Sequence, residues 1–338
     1  MPRYQPPRLK PLDQQVMLIT GASSGIGLVT AREAAARGAK VVLVARDEGV
    51  LKTIVADIEE SGDSAIYVVA DVGRLEDVQQ AAAAALARYG RIDTWVNNAG
   101  VAIYAKLVDT PMAEHEQLFR TNYFGAVHGC LTAISHLREH GGALITVGSI
   151  AADIPSPIMG AYSASKHAIK GFVHSLRIEV IADGLPISVT LIKPSGIDTP
   201  IAQHAANHVE GEALIPTPVY DPTLVAAAIL DAAEHPRRDV TVGGMGKLQT
   251  LLVEHFPAGV DLLGRWFEPM LFDRDKPKTT TDNLDSPVDD GMERSPEQPG
   301  RRFSLLASVS HNRLPTVLAV GAVAALLLFG SARRQSDR

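Results

Sequence analysis

The sequence predicts an α/β fold: a single doubly wound domain built on one seven-stranded parallel sheet with helices on both faces. Three observations carry this. Short runs almost continuous in apolar residues recur along the chain, as strands buried on both faces require. Longer helical stretches alternate with them, and a glycine follows each of those stretches as a C-cap signal.

The predicted strands are Val16–Ile19, Val41–Ala45, Ile66–Ala70, Trp95–Val96, Ala143–Val147, Ile187–Ile192 and Val240–Val242. The helices between them span Ile26–Ala36, Glu48–Glu60, Leu75–Tyr89, Ala113–His140 and Tyr162–Ala182, followed by Gly38, Gly62, Gly90, Gly141 and Gly184. Strict β-α alternation with right-handed crossovers gives a doubly wound sheet, and ligands of such sheets bind beyond the carboxyl ends of the strands. No repeat of fixed period interrupts the pattern.

Composition narrows the class further. The 338 residues include one cysteine, which excludes a disulfide framework, and 32 basic against 38 acidic side chains, which argues against nucleic acid as a partner. Residues 1–12, rich in proline and basic residues, lack the apolar core of a secretory signal and are expected to form a disordered arm ahead of a cytoplasmic domain at 13–272. Residues 273–313 begin with a charged, proline-containing stretch with little to bury, which predicts a disordered linker. Leu314–Ala332 is uncharged and mostly apolar; as a helix it would span about 28 Å, enough to cross a bilayer and anchor the protein to a membrane. Arginines flank both ends, so charge does not set its orientation.

The first strand ends in Thr20-Gly21-Ala22-Ser23-Ser24-Gly25-Ile26-Gly27, and a helix opens inside that segment. This is where a dinucleotide pyrophosphate sits in such folds. Gly21 permits the sharp turn, Gly25 lets the backbone approach phosphate, Gly27 allows close helix packing, and the free N–H groups with the helix dipole favour an anion. The second strand ends at Ala45-Arg46, a cation where an acidic residue would bind the ribose 2′-hydroxyl of NAD. Arg46 therefore favours NADP. Asp71, after the third strand, is placed to meet an adenine amino group or to cap the next helix.

With Asn97-Asn98-Ala99-Gly100, Asn122, Ser149 and Tyr162-x3-Lys166 following in order, the stretch Gln15–Val242 resembles the short-chain dehydrogenase/reductase family, in the branch with the Thr-Gly-x3-Gly-x-Gly turn. The resemblance implies a Rossmann fold and a nicotinamide cofactor, NADP before NAD. It implies cofactor contacts from the turn, Ser23, Ser24 and Ile26 included, and from Arg46, Asp71 and Val72. Asn98, Ala99 and Gly100 would line the adenosine half and brace the central sheet, while Pro194, Ile197 and Thr199 would approach the nicotinamide. It also implies homodimers or homotetramers through the helices carrying Asn122 and Tyr162.

The chemistry follows from the residue types. Tyr162 and Lys166 share one helix face, and Ser149 lies just past the fifth strand, at the expected crevice. A phenol has an ordinary pKa of about 10, and a neighbouring ammonium, with oxidised nicotinamide adding positive charge, brings it toward the working range. In reduction Tyr162 would protonate the nascent alkoxide while Ser149 hydrogen-bonds the same oxygen; in oxidation Tyr162 would be the base. The resemblance adds Asn122 as holder of a relay water and gives Lys166 a second role on the nicotinamide ribose.

Where the family has Pro-Gly after the sixth strand, this chain reads Pro194-Ser195-Gly196, and a serine at φ > 0 would cost on the order of 1 kcal/mol. His136-x2-Glu139-His140 has the outline of a zinc-protease motif, but it falls at a helix end on the amino-terminal side of the sheet without a third ligand, so no metal is expected. Cys130 reads as a packing residue. Ala151–Met159, the lid 199–220, and Ile103 with Tyr104 would frame the substrate, a small carbonyl or alcohol. The apolar segment 247–272 is extra core, a subunit interface, a lid or an interfacial helix; with a tail anchor it suits a lipophilic substrate. The alternatives are a cofactor-binding sensor or scaffold without turnover and a sugar-nucleotide epimerase.

Overall fold

The computed structural model describes residues 6–288 and 291–301. The predicted membrane span 314–332 lies outside them, as does the adjoining stretch 302–313. Among the described residues no helix is long and apolar enough to cross a membrane.

The central sheet has seven parallel strands, β1 (Val16–Thr20), β2 (Lys40–Ala45), β3 (Ala65–Val69), β4 (Thr94–Asn97), β5 (Gly142–Val147), β6 (Ile187–Pro194) and β7 (Asp239–Val242), in the order β7-β6-β5-β4-β1-β2-β3. The strand order reverses between β1 and β4, so the loops after these two strands part and leave a crevice. On one face lie α1 (Gly25–Ala36), α2 (Glu48–Glu60) and α7 (Pro222–Glu234), whose apolar residues form one core with Met17, Ile19, Val41 and Leu43. On the other lie α3 (Leu75–Tyr89), α5 (Gly125–Leu137) and α6 (Gly160–Ala182), packed on Leu18, Val42, Trp95 and Leu144. Alternate side chains of one strand thus enter different cores, and both are apolar.

Local chemistry sets the ends of these helices. The Asp47 carboxylate accepts the Val50 N–H at 2.9 Å and caps α2, and Asp221 does the same for Thr223 N–H at 3.0 Å at the start of α7. Gly90 and Gly184 end α3 and α6 with φ of 75° and 67°, as the glycine signals predicted.

The helix predicted as continuous over 113–140 is divided. Met112–Phe119 forms α4, a π turn occupies Arg120–Phe124, and α5 follows. The buried Asn122 explains the break: its carboxamide leaves the helix to bond the backbone of Val101. The apolar segment 247–272 contributes two helices, α8 (Gly244–His255) and α9 (Pro257–Phe267). Two short strand pairs, Ile103–Tyr104 with Ala206–Asn207 and Glu212–Ala213 with Phe272–Asp273, tie the loop after β6 to its surroundings.

Both expected disordered segments are ordered where they are described. Residues 6–12 dock at the amino-terminal end of the central strands because Leu12 is buried, its N–H donates to Glu234 Oε1 at 3.0 Å, and Lys10 pairs with Asp93, just before β4, at 3.0 Å. Residues 273–288 and 291–301 have few apolar groups to bury, which is why composition read them as a linker. Their order comes instead from charge and backbone pairing: Arg294 forks onto Asp221, Ser295 and Gly300 N–H groups donate to the buried Asp198, and Gln298 brackets both backbone groups of Ile215.

Candidate active site

A cleft of about 740 Å³ runs along the carboxyl ends of the strands, from Gly21–Ile26 and Arg46 at one end, past Asn98–Val101, to Ser149, Tyr162 and Lys166. At the first end β1 turns into α1. Gly21 and Gly25 take φ of 64° and 52°, and a methyl group on Gly21 would lie 2.7 Å from Ala99 Cα. On Gly27 it would fall 2.1 Å from the Gly21 carbonyl, so that glycine closes the turn itself. Asn98 braces the same turn, its Nδ2 donating to the carbonyls of Thr20 and Gly21 at 3.0 Å each. Ala99 N–H donates to Thr20 Oγ1 at 3.2 Å.

Arg46 and Asp71 face each other across the next stretch of cleft, where burial draws the guanidinium pKa down and the Asp71 charge opposes that. Asp71 Oδ1 accepts Gly73 N–H at 2.9 Å in a tight turn, while the N-cap of α3 is Arg74. Val72 is buried on the cleft wall, and Thr121 Oγ1, also on this wall, is buried without a hydrogen-bond partner among the described residues.

At the far end, α6 presents Tyr162 and Lys166 on one face, with Nζ 5.5 Å from the phenol ring centroid. The Ser149 hydroxyl stands close enough to Tyr162 to oppose the effect of burial on the phenol, and Ser149 Oγ accepts Ala151 N–H at 3.0 Å. Lys166 is buried and donates to the Val147 carbonyl at 3.2 Å. Asn122 Oδ1 accepts Val101 N–H at 2.8 Å, and its Nδ2 donates to Val101 O and Ser165 Oγ. A methyl group on Gly100 would lie 3.4 Å from Asn122 Oδ1 and 3.6 Å from Lys166 Nζ, which places all three at one spot. The predicted constellation is assembled.

Among the protein's own groups, burial sets its electrostatics. Burial pushes the Tyr162 phenol up to about 12, with the Ser149 hydrogen bond opposing, and draws the Lys166 ammonium down to about 8. Desolvation comes first for both groups, and Lys166 faces a carbonyl that brings it no counter-charge. Cys130 packs as expected: buried, bonded to Asn97 and Thr146, its thiol is pushed up to about 12 by burial.

Ser195 brings no strain. Among the described residues the only positive-φ side chain outside glycine is Ile158, so neither Ser195 nor Gly196 needs left-handed backbone. Pro194, Ile197 and Thr199 all line the cleft, and the Thr199 side chain stands 3.1 Å from where a methyl on Gly25 would be. His136 sits in the last turn of α5, with Glu139 and His140 just beyond it, at the opposite end of the strands.

Two features carried no signal in the sequence. Asp153, four residues past Ser149, is half-buried with its side chain 5% exposed, and it pairs with Lys193 at 2.6 Å and with Lys170. It joins the Ser149 loop to α6 and to the end of β6. Asn283, Pro287 and Val288 also line the cleft, although composition assigned them to a linker.

A glycine-bounded turn beside a reversal of strand order, with a cation beyond the second strand, defines a dinucleotide-binding α/β protein, and the residues present fit such a group. The chain belongs to the short-chain dehydrogenase family, whose sequence model, described as short chain dehydrogenase, matches residues 15–210. It is 45% identical over 259 residues to "Uncharacterized oxidoreductase YxnA" of Bacillus subtilis, covering 76% of this chain and 73% of that one. It is 33% identical over 201 residues to a 3beta-hydroxysteroid dehydrogenase of Mediterraneibacter gnavus, covering 59% and 71%. A crystal structure of a short chain dehydrogenase/reductase from Burkholderia phymatum in complex with NAD superposes with a TM-score of 0.67 at 26% identity, covering 75% of this chain and 96% of that one.

Proposed function

We propose that this oxidoreductase interconverts a lipophilic ketone and its secondary alcohol with NADP in preference to NAD. The observation that carries the reading is the meeting of Ser149, Tyr162 and Lys166 where the nucleotide cleft opens into an apolar pocket. A bound nicotinamide supplies the hydride. Ser149 and Tyr162 hold the substrate oxygen between two hydroxyls, and Tyr162 delivers its proton there as negative charge develops. A phenol held at about 12 is a proton donor at neutral pH, which suits reduction. Lys166 is half charged near pH 8, so it passes a proton to or from the site at little cost, and Asn122 fixes the loop beneath it.

NADP is favoured because Arg46 stands at the end of β2 on the cleft wall, where a 2′-phosphate projects. A lipophilic substrate is favoured by the pocket walls, which include Ile150, Ile154, Met159, Ile201, Ile215 and Val253. The name of the Mediterraneibacter gnavus relative agrees with that class. Phe124, Leu131 and Ile178 are exposed on the stretches carrying Asn122 and Tyr162, which supports a homo-oligomer through those helices. The run 314–332 supports a membrane anchor on length and apolarity.

The test is to titrate the full chain with NADPH and NADH by nicotinamide fluorescence, then to follow NADPH oxidation with steroid-like ketones against short hydrophilic aldehydes. Tighter NADPH binding and turnover of the lipophilic ketones are expected. Equal binding of the two nucleotides contradicts the NADP assignment, and preference for hydrophilic carbonyls contradicts the substrate class.

A further inference from the structure

The groups suited to grip a dinucleotide in this cleft are already held by the chain's own backbone. Gly25 N–H, at the pyrophosphate turn, donates to the Met292 carbonyl at 2.8 Å. The Arg46 guanidinium donates to the carbonyls of Leu284 and Asp285 at 3.4 and 3.3 Å and to that of Asn283. Leu284 is 3% exposed, buried with Val101, Ile103 and Leu118 in a cluster on which Tyr162 also packs. Asn283 N–H donates to the carbonyl of His204 at 2.9 Å, and Gln117 Nε2 to that of Leu284 at 3.2 Å. This stretch therefore reaches from the substrate loop to the adenosine end of the cleft.

The neighbouring stretch is anchored by charge. Arg294 Nε and Nη2 meet the two Asp221 oxygens at 2.9 and 3.1 Å, Glu293 pairs with Arg32 at 2.9 Å, and Asp198, 2% exposed, accepts the N–H groups of Ser295 and Gly300. Asp198 lies between Ile197 and Thr199, the pair that lines the predicted nicotinamide end. Backbone carbonyls are the neutral counterparts of phosphate oxygens: they accept from the same N–H groups but bring no charge to Arg46.

Resting on the cofactor reading above, we propose that residues 283–288 and 291–301 are an internal strap that competes with the dinucleotide for Gly25 N–H and Arg46. The strap releases when phosphate displaces its carbonyls, and anything that holds the strap down closes the enzyme. Asp71 and the strap's own Asp285 already lend the half-buried Arg46 guanidinium counter-charge, but the strap's direct contacts to it are neutral carbonyls, and a phosphate would replace them with charge-assisted hydrogen bonds. The anchors at Asp198 and Asp221 lie outside those two contacts, so the strap can leave the cleft and stay tethered.

The test uses the full chain and two substitutions, Arg294→Ala at the anchor and Leu284→Ala at the plug, each checked for cooperative unfolding. NADPH affinity is read by nicotinamide fluorescence, and strap release by trypsin cleavage after Lys278, just ahead of the strap, without and with NADPH. Either variant is expected to bind NADPH at least about fivefold more tightly than the unaltered chain, the lower end of a typical coupling between sites. NADPH is expected to accelerate cleavage of the unaltered chain, and Arg294→Ala to accelerate it without nucleotide. Unchanged or weaker binding in both variants, or protection of the strap by NADPH, overturns the strap and leaves the cofactor reading intact. Failure of every protein to bind either nucleotide, with the variants cleaved faster, overturns the cofactor reading and with it the competition.

Discussion

Lys166 is the costliest residue in the site. It is 4% exposed, donates to a carbonyl, and has its ammonium drawn from 10.5 down to about 8 by burial. Between pH 8 and 10.5 the unfolded lysine keeps a proton that the folded one has shed, so stability rises with pH across that window, and below it the folded state carries the full penalty. At 1.36 kcal/mol per pKa unit the penalty is on the order of 3 kcal/mol, less the hydrogen bond to Val147. Lys166→Met is therefore expected to raise the calorimetric Tm by a few degrees at pH 7 while abolishing turnover, with the gain shrinking toward pH 10. A lower Tm at pH 7 would show that the carbonyl contact outweighs burial. Arg46→Asp is expected to invert the NADPH to NADH affinity ratio by about tenfold or more. An unchanged ratio in the same fluorescence titration would place the 2′-phosphate elsewhere.

At the scale of elements, the strands were legible as apolar runs and most helices as the stretches between them closed by a glycine. The motif residues were legible because they sit at strand ends, where the fold itself puts the crevice. The π turn at Arg120–Phe124 was not, since helical periodicity continues through it and only the Asn122 contacts to Val101 reveal the break. Asp153 was equally silent. It is one acidic residue in a loop, and its meaning depends on Lys170 and Lys193 arriving from two other elements. Tying the Ser149 loop to α6 and β6 makes it a positioning residue, and Asp153→Asn is expected to lower kcat by about tenfold or more with cofactor affinity unchanged. Rescue by Asp153→Glu separates positioning from a general loss of stability; a kcat equal to the original would show that the loop is fixed by Ser163, whose Oγ donates to the Ala151 and Ile154 carbonyls.

For the whole molecule, composition misjudged both ends of the described chain for the same physical reason. Residues 6–12, 273–288 and 291–301 offer little apolar surface, and hydrophobic burial is what a composition argument weighs. What orders them is long-range pairing, such as Lys10 with Asp93 and Arg294 with Asp221, which no local window contains. The Asp221 carboxyl is held down at about 2, chiefly by its Arg294 and Thr223 hydrogen bonds against the cost of burial. That stabilisation is full above the ordinary carboxyl value of 3.8 and is lost only as pH falls through about 2, so the anchor holds across the neutral range. A doubly wound domain with its own tail laid across the cofactor cleft thus joins the catalytic proposal to a means of controlling it.

The central claim, that Tyr162 transfers the proton in a nicotinamide-dependent carbonyl reduction, is tested most directly by Tyr162→Phe in the full chain, with NADPH binding and ketone-dependent NADPH oxidation measured on the same sample. The ring remains and only the proton donor goes, so binding should stay within a factor of about two while turnover falls by roughly 10²-fold or more. Turnover close to that of the unaltered chain would contradict the account.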